Sequence, residues 1–264
     1  MKKNMIVSIV LTALCVLALN AQTQAGLIAE KVEYRHENTV LQGYLAYDDG
    51  VAGPRPGVLV VHEWWGLNEH AKRKAEQLAE AGYVALALDM YGEGKKTQHP
   101  KQAGEWAGFV RKNQKIGRER FMAGYTLLRN HKLTLENNIA AIGYCFGGNV
   151  VLSMALHGMP LRGVVSFHGS LPLAQAEPNS VKAKILVCHG ADDPTIKPDQ
   201  IATFQENLRK AGADWQFIFY GGAKHSFTNP EADKHGIPVL GYNRNADMRS
   251  WQAMIAFFNE IFKN

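Results

Sequence analysis

Three residues of this 264-residue chain have the types and the settings for nucleophilic chemistry: Cys145, Asp193 and His225. Each stands just beyond a short apolar run. Cys145 is the centre of Gly143-Tyr144-Cys145-Phe146-Gly147-Gly148, between Ile139-Ala140-Ala141-Ile142 and Asn149-Val150-Val151-Leu152-Ser153-Met154-Ala155-Leu156. A strand, a glycine-flanked polar residue and then a helix is the setting of a nucleophile elbow. Gly143 and Gly147 remove the Cβ atoms that would clash as the strand folds back into the helix. The central side chain is then held at the carboxyl edge of a sheet, beside the positive end of a helix. A thiol attacks only as thiolate, and its unperturbed pKa is about 8.5. The helix end and an imidazolium at His225 would both favour that form. A lone Gly-x-Cys-x-Gly is a weak signal, since an isolated buried cysteine is more often core than catalyst. The acid and the histidine that follow it at later strand ends make the signal stronger.

The elements that must position these residues can be read in order. Val32 to Tyr34 and Thr39 to Tyr47 alternate around His36-Glu37-Asn38 and predict an opening hairpin. Gly57 to Val61 is a continuous apolar run, as expected of a strand buried on both faces. Tyr83 to Leu88, Ile139 to Ile142, Gly163 to Phe167, Ala183 to Cys188 and Trp215 to Tyr220 are further strands. Helical patterns fall at Glu69 to Ala81, Ile116 to Arg129, Asn149 to Leu156, Ile201 to Lys210 and Ala246 to Phe262. The polar stretch from Glu93 to about Gln114 predicts a partly helical lid, with most of its charges on a solvated face. Strands alternating with helices place the chain in the α/β class, with a mostly parallel central sheet and helices on both faces. Ligands then belong at the carboxyl ends of the strands.

Nucleophile, acid, histidine is the chain order of α/β-hydrolases and differs from that of the other serine-type hydrolase folds. The whole chain beyond its first residues resembles the dienelactone hydrolase family of that fold. The resemblance rests on the Cys145 motif, on Gly190-Ala191-Asp192-Asp193 and on His225-Ser226-Phe227. Glu63-Trp64-Trp65-Gly66 and Leu88-Asp89-Met90-Tyr91-Gly92-Glu93-Gly94 add to it. It implies that Cys145 is the nucleophile, His225 the base, Asp193 its orienter and Glu63 the acid that partners the resting thiol. Asp192 competes with Asp193; the Pro194-Thr195-Ile196 that follows favours Asp193. The backbone N–H groups of Phe146 and Trp64 are candidates for an oxyanion hole. Trp65, Tyr91, Trp106 and Phe109 are candidates for an apolar or aromatic substrate pocket, with core packing an equal explanation for the tryptophans and Phe109. Members acting on dienelactones are expected to hold the substrate carboxylate with an arginine shortly after the catalytic histidine. Here Ser226-Phe227-Thr228-Asn229-Pro230 carries none.

The chain begins with Lys2 and Lys3, an apolar run from Met5 to Leu19 and then Thr23-Gln24-Ala25. These are the parts of a secretory signal peptide cleaved after Ala25, so a periplasmic or secreted protein is expected. The apolar run is short for a membrane span, which needs about 20 residues. No second long apolar stretch follows, so no stable membrane span is expected after cleavage. Removing residues 1–25 leaves 239 residues, suited to one α/β domain over 26–264. Their 27 basic side chains against 24 acidic leave a net charge of +3, which points to no nucleic acid partner. His62, His168 and His189 also fall at strand ends and are expected to be structural. No Cys-x-x-Cys or His-x-x-x-His pair suggests a metal, and the chemistry needs no cofactor.

The expectation is therefore a secreted, cofactor-free, cysteine-dependent hydrolase acting on a small-molecule ester or lactone. Its rival is a periplasmic thiol redox protein, or a ligand-binding protein, on the same scaffold. In the redox version Cys145 and Cys188, the two cysteines beyond residue 25, would form the pair.

Overall fold

The structure, a computed structural model, describes residues 26–263; the expected signal peptide lies outside the described residues. Strands β1 (Leu27–His36) and β2 (Thr39–Asp48) form the opening hairpin, paired antiparallel along their full length. Then come β3 (Arg55–Val61), α1 (Glu69–Glu80), β4 (Val84–Leu88), α2 (Pro100–Lys112), α3 (Gln114–Arg129), β5 (Thr134–Tyr144) and α4 (Phe146–Leu156). β6 (Gly163–Phe167), β7 (Lys184–Gly190), α5 (Pro198–Lys210), β8 (Trp215–Tyr220) and α6 (Arg244–Ile261) complete the order. The eight strands lie side by side as β1-β2-β4-β3-β5-β6-β7-β8. β2 joins β4 antiparallel, and every pairing from β4 to β8 is parallel.

The two-residue period of the strands divides their side chains between two cores. Leu59, Val61, Leu86, Leu88, Ile139, Ala141 and Val187 face α3, α4 and α5. Val58, Val60, Ala85, Ala87, Ala140, Ile142 and Leu186 face α1 and α6. Strands covered on both faces have no polar side, which is why their sequences are continuous apolar runs. α4 is apolar nearly all round and mostly buried, as a helix in the middle of such a layer must be.

Two helices start three residues earlier than their apolar periodicity suggests. α4 begins at Phe146, because Gly147 and Gly148 take helical backbone despite their low propensity. α5 begins at Pro198, where the fixed φ of proline and its missing N–H suit a first turn. The polar stretch before α3 contains α2, a helix of 13 residues with Pro100 at its start. This topology brings the carboxyl ends of β3, β5, β6, β7 and β8 to one edge of the sheet.

Candidate active site

Cys145 sits at that edge, between β5 and α4, with φ +53° and ψ −111°. A non-glycine residue at positive φ is strained, and the strain here is imposed by the tightness of the turn. A Cβ on Gly143 would lie 2.1 Å from the Gly147 carbonyl oxygen, and one on Gly147 would lie 2.3 Å from that of Val61. Only glycine fits at either place. The Cys145 N–H donates to the Phe167 carbonyl at 3.0 Å, which ties the elbow to the end of β6.

Asp193 and His225 reach the thiol from the ends of β7 and β8. The turn after β7 is closed by Asp193 N–H to Gly190 O at 3.1 Å. Asp193 Oδ2 stands 2.7 Å from His225 Nδ1 and accepts its N–H. Its Oδ1 accepts from Thr195 N–H at 2.9 Å and Thr195 Oγ1 at 2.6 Å. Asp193 is buried and Asp192 exposed, so burial and geometry separate two aspartates that are adjacent in sequence. His225 is held by its own backbone: its N–H donates to Val239 at 3.2 Å and its carbonyl accepts from Gly241 at 3.0 Å. On its other side the imidazole meets the Cys145 side chain.

Charge is strongly organised here. Burial works against a protonated His225, but the Cys145 sulfur and the Asp193 carboxylate outweigh it and hold the imidazole well above its ordinary range. Burial also works against an ionised Asp193, and the bonds from His225 and Thr195 overcome it, leaving the carboxyl below its ordinary value. His168, buried beside His225 with ring centroids 5.4 Å apart, is pushed well down by burial and by the charge on His225. It stays neutral, and its Nε2 lies 2.8 Å from Thr228 Oγ1.

Glu63 lies at the end of β3 and is buried. Burial raises its pKa, partly countered by hydrogen bonds from Ser226 Oγ at 2.7 Å and Asn229 Nδ2 at 2.6 Å. This corrects the expected partnership with the resting thiol. Both carboxylate oxygens are taken up by the segment that follows His225, and the sulfur turns to His225 instead. Ser226 and Asn229 are therefore part of the site, and Thr195 with them. Sequence reasoning assigned none of the three a role. The only signal was their place next to His225 and Asp193.

The N–H groups of Phe146 and Trp64 donate no hydrogen bond among the described residues. The first N–H groups of a helix have no partner within it, and Phe146 is the first residue of α4. Both are free to bind an oxygen that gains negative charge.

The aromatic pocket residues separate. Tyr91 is buried, donates its hydroxyl to the Trp64 carbonyl at 2.9 Å and lies with its ring centroid 5.5 Å from that of Phe146. Trp106 leans on Tyr91 at 5.6 Å. Trp65 is a correction: 2% exposed, it stacks on His235 at 4.1 Å inside a small cluster with Ala103, Ala232 and Leu240. It is a packing residue. Phe109 is a second correction, since it is 49% exposed on α2 and is not among the residues lining the cavity beside the elbow. The large void near the site lies elsewhere, along α4, with a volume of about 530 Å³. Phe146 is the one residue it shares with the elbow motif.

The other strand-end histidines have structural partners. His62 bridges the Glu63 carbonyl at 2.5 Å and the Met90 N–H at 3.3 Å. His189 packs against the ring edges of Phe217 and Phe219. The redox pairing of Cys145 with Cys188 is excluded by register. Tyr144 is level with Phe167 and Phe167 with Cys188, so β6 lies between the two cysteines. Two strand spacings amount to about 10 Å, well beyond the Cα separation of about 7 Å that a disulfide tolerates. Both thiols are free, and Cys188 accepts from the buried Tyr220 hydroxyl at 3.7 Å. Among the described residues no helix is long and apolar enough to cross a membrane.

The chain can now be set beside known proteins. Residues 41–262 match the model of the dienelactone hydrolase family. Protein usf of Aquifex pyrophilus is 27% identical over 241 residues, covering 88% of this chain and 99% of its own. A crystal structure of a dienelactone hydrolase-like promiscuous phosphotriesterase from metagenomic libraries superposes with a TM-score of 0.86 at 38% identity, covering 90% of this chain and 99% of that one. An α/β-hydrolase enzyme from a Medee basin deep-sea metagenome shares the fold, with a TM-score of 0.62 at 15% identity over 91% of this chain and all of that one. With a sheet of this topology and a match over most of its length, the chain belongs to the dienelactone hydrolase family of α/β-hydrolases and is a hydrolase of carboxylic esters or lactones.

Proposed function

We propose that this hydrolase works through Cys145, His225 and Asp193, and that it acts outside the cytoplasm. The observation that carries the reading is the 2.7 Å bond between Asp193 and His225, with the other side of the imidazole against the thiol at the elbow. The thiolate attacks the substrate carbonyl, and the N–H groups of Phe146 and Trp64 receive the negative oxygen. Losing one such donor typically lowers the rate by about 10²–10³. The intermediate collapses to a thioester as His225 gives its proton to the departing alkoxide. His225 then takes a proton from water, which attacks the thioester and releases the acid. Asp193 keeps the ring in the tautomer and orientation both steps need. Glu63 acts by positioning: it ties down Ser226 and Asn229, the residues that follow the base.

The substrate class is a small ester or lactone. Dienelactone itself is disfavoured, because Asn229 stands in the stretch where an arginine would meet its carboxylate, and its amide is committed to Glu63. The test is turnover of small aryl esters by the mature protein, with the acyl-enzyme trapped by acid and weighed intact. Turnover with acyl mass on the peptide containing Cys145 supports the scheme; full activity of Cys145→Ala overturns it. Export is tested separately. Cleavage after Ala25 gives a mature protein in the periplasmic or secreted fraction starting at Gly26, whereas an intact Met1 in the cytoplasm rules export out.

A further inference from the structure

The cavity of about 530 Å³ beside the elbow is not explained by a small lactone. Its floor is the outward stripe of α4, from Phe146 and Val150 through Met154 to His157. One wall is the end of α2 and the start of α3; the other is the irregular segment 172–180. That segment is anchored at its start by two asparagine side chains and near its end by Asn179 N–H, which donates to Ala211 O at 3.0 Å. Asn149 Nδ2 donates to Ser170 O at 3.1 Å, and Asn207 Nδ2 donates to Leu173 O at 3.0 Å. It leaves the Leu173 side chain 45% exposed at the lining of the cavity. Arg111 and Arg118 stand in the α2–α3 wall, Glu177 is across from them in the segment 172–180, and among the described residues neither arginine forms an ion pair.

Length and position identify the occupant. α4 runs 11 residues from Phe146 to Leu156, and both ends line the cavity, so the groove is roughly 16 Å long. An extended chain advances about 1.2 Å per backbone atom, so the groove has room for up to about thirteen carbons and holds a chain of about ten with its carboxyl end left at the elbow. The groove starts on the residue whose N–H is set to receive the substrate oxygen. Phe146, which lines the near end of the groove, directly follows Cys145 at the start of α4, so that end adjoins the elbow.

We propose that this groove along α4 holds the acyl chain of the substrate, and that the enzyme takes esters of unbranched apolar acids of about ten carbons. The proposal rests on the hydrolase reading for its chemistry but not for its binding, so the two can fail separately. Two measurements are paired: kcat/KM for p-nitrophenyl acetate against p-nitrophenyl decanoate, and calorimetric binding of free decanoate to the resting enzyme. Both are repeated on Ser153→Trp, which fills the groove at mid-floor, and on Ala174→Trp, which fills it from the opposite, exposed wall. Circular dichroism selects the variants that fold, and Ala174→Trp carries the test if Ser153→Trp does not.

In the wild type the decanoate-to-acetate ratio should exceed about tenfold, since each buried methylene adds to binding. In the filled variants that ratio should drop by about tenfold or more, and decanoate binding should be lost. If esters are hydrolysed with no preference for the longer chain, or if the filled variants keep it, the groove is not an acyl site and the hydrolase reading stands. If no ester is hydrolysed but decanoate binds the wild type and not the filled variants, the groove stands and the hydrolase reading falls.

Discussion

Asp193 Oδ2 and His225 Nδ1 lie 2.7 Å apart, although 32 residues and the whole of α5 and β8 separate them along the chain. The bond exists because β7 and β8 are parallel neighbours that end level with each other, Gly190 beside Tyr220. Everything expected of the thiol depends on it, through the ring it holds.

Replacing Cys145 by alanine removes the nucleophile and leaves the strained turn to a residue of similar size. Hydrolysis of an aryl ester should fall by about 10³-fold or more, with the thermal midpoint unchanged or raised. Steady-state kinetics and a melting curve on the same sample check both parts.

The pH behaviour follows from two opposite shifts. Asp193 is held below its ordinary value, so its contribution to stability is present above about pH 3.9 and is lost as pH falls through the lower folded value. His225 is held above, so its contribution is complete below about pH 6.5 and is lost as pH rises through the higher folded value. Asp193→Asn should therefore cost the most stability between about pH 4 and 6.5, read as the difference in urea midpoint across a pH series. The same substitution should move the alkaline limb of the kcat/KM profile to lower pH, because the imidazolium loses one of the charges that supports it.

The two thiols should react very differently. Cys145 is partly exposed beside an imidazolium, while Cys188 is buried and its thiol is pushed up to about 12 by burial. Titration of the mature protein with a disulfide reagent should show one fast thiol in the folded state and two after denaturation. Two fast thiols in the folded protein would contradict this placement.

Glu63→Ala leaves Ser226 and Asn229 as buried donors with no acceptor. Each such orphan costs about 1–3 kcal/mol, so a lowered melting temperature is expected together with a lower kcat. Glu63→Gln keeps the volume and one acceptor, and should recover most of the stability but not the full kcat. Equal kinetics for wild type and Glu63→Gln would remove Glu63 from the working site.

Gly143→Ala forces a Cβ to within 2.1 Å of the Gly147 carbonyl oxygen, a backbone atom that cannot step aside. The loss of stability should be about 3 kcal/mol or more, in the upper tail for single substitutions. Gly53→Ala has open space around it and only its positive φ to pay, so it should cost much less. Denaturant curves of the two variants make the comparison.

The order of strands and helices was legible in the chain itself, because a strand buried on both faces must be apolar without a break, as Val58 to Val61 and Ala85 to Leu88 are. The elbow was legible too, since only glycine survives at 143 and 147. The order Cys145, Asp193, His225 followed from their places just beyond strand ends. Tertiary structure alone decided which of two adjacent aspartates faces His225, that Glu63 binds Ser226 and Asn229, and that β6 parts Cys145 from Cys188. It alone showed that Trp65 is packing, that Phe109 faces solvent and that the large cavity runs along α4. The reason is physical. Burial patterns and backbone sterics act on neighbours in sequence and leave their mark on local composition. The direction of one carboxylate, or the void between two helices, is set by groups that meet only after strands distant in sequence have paired.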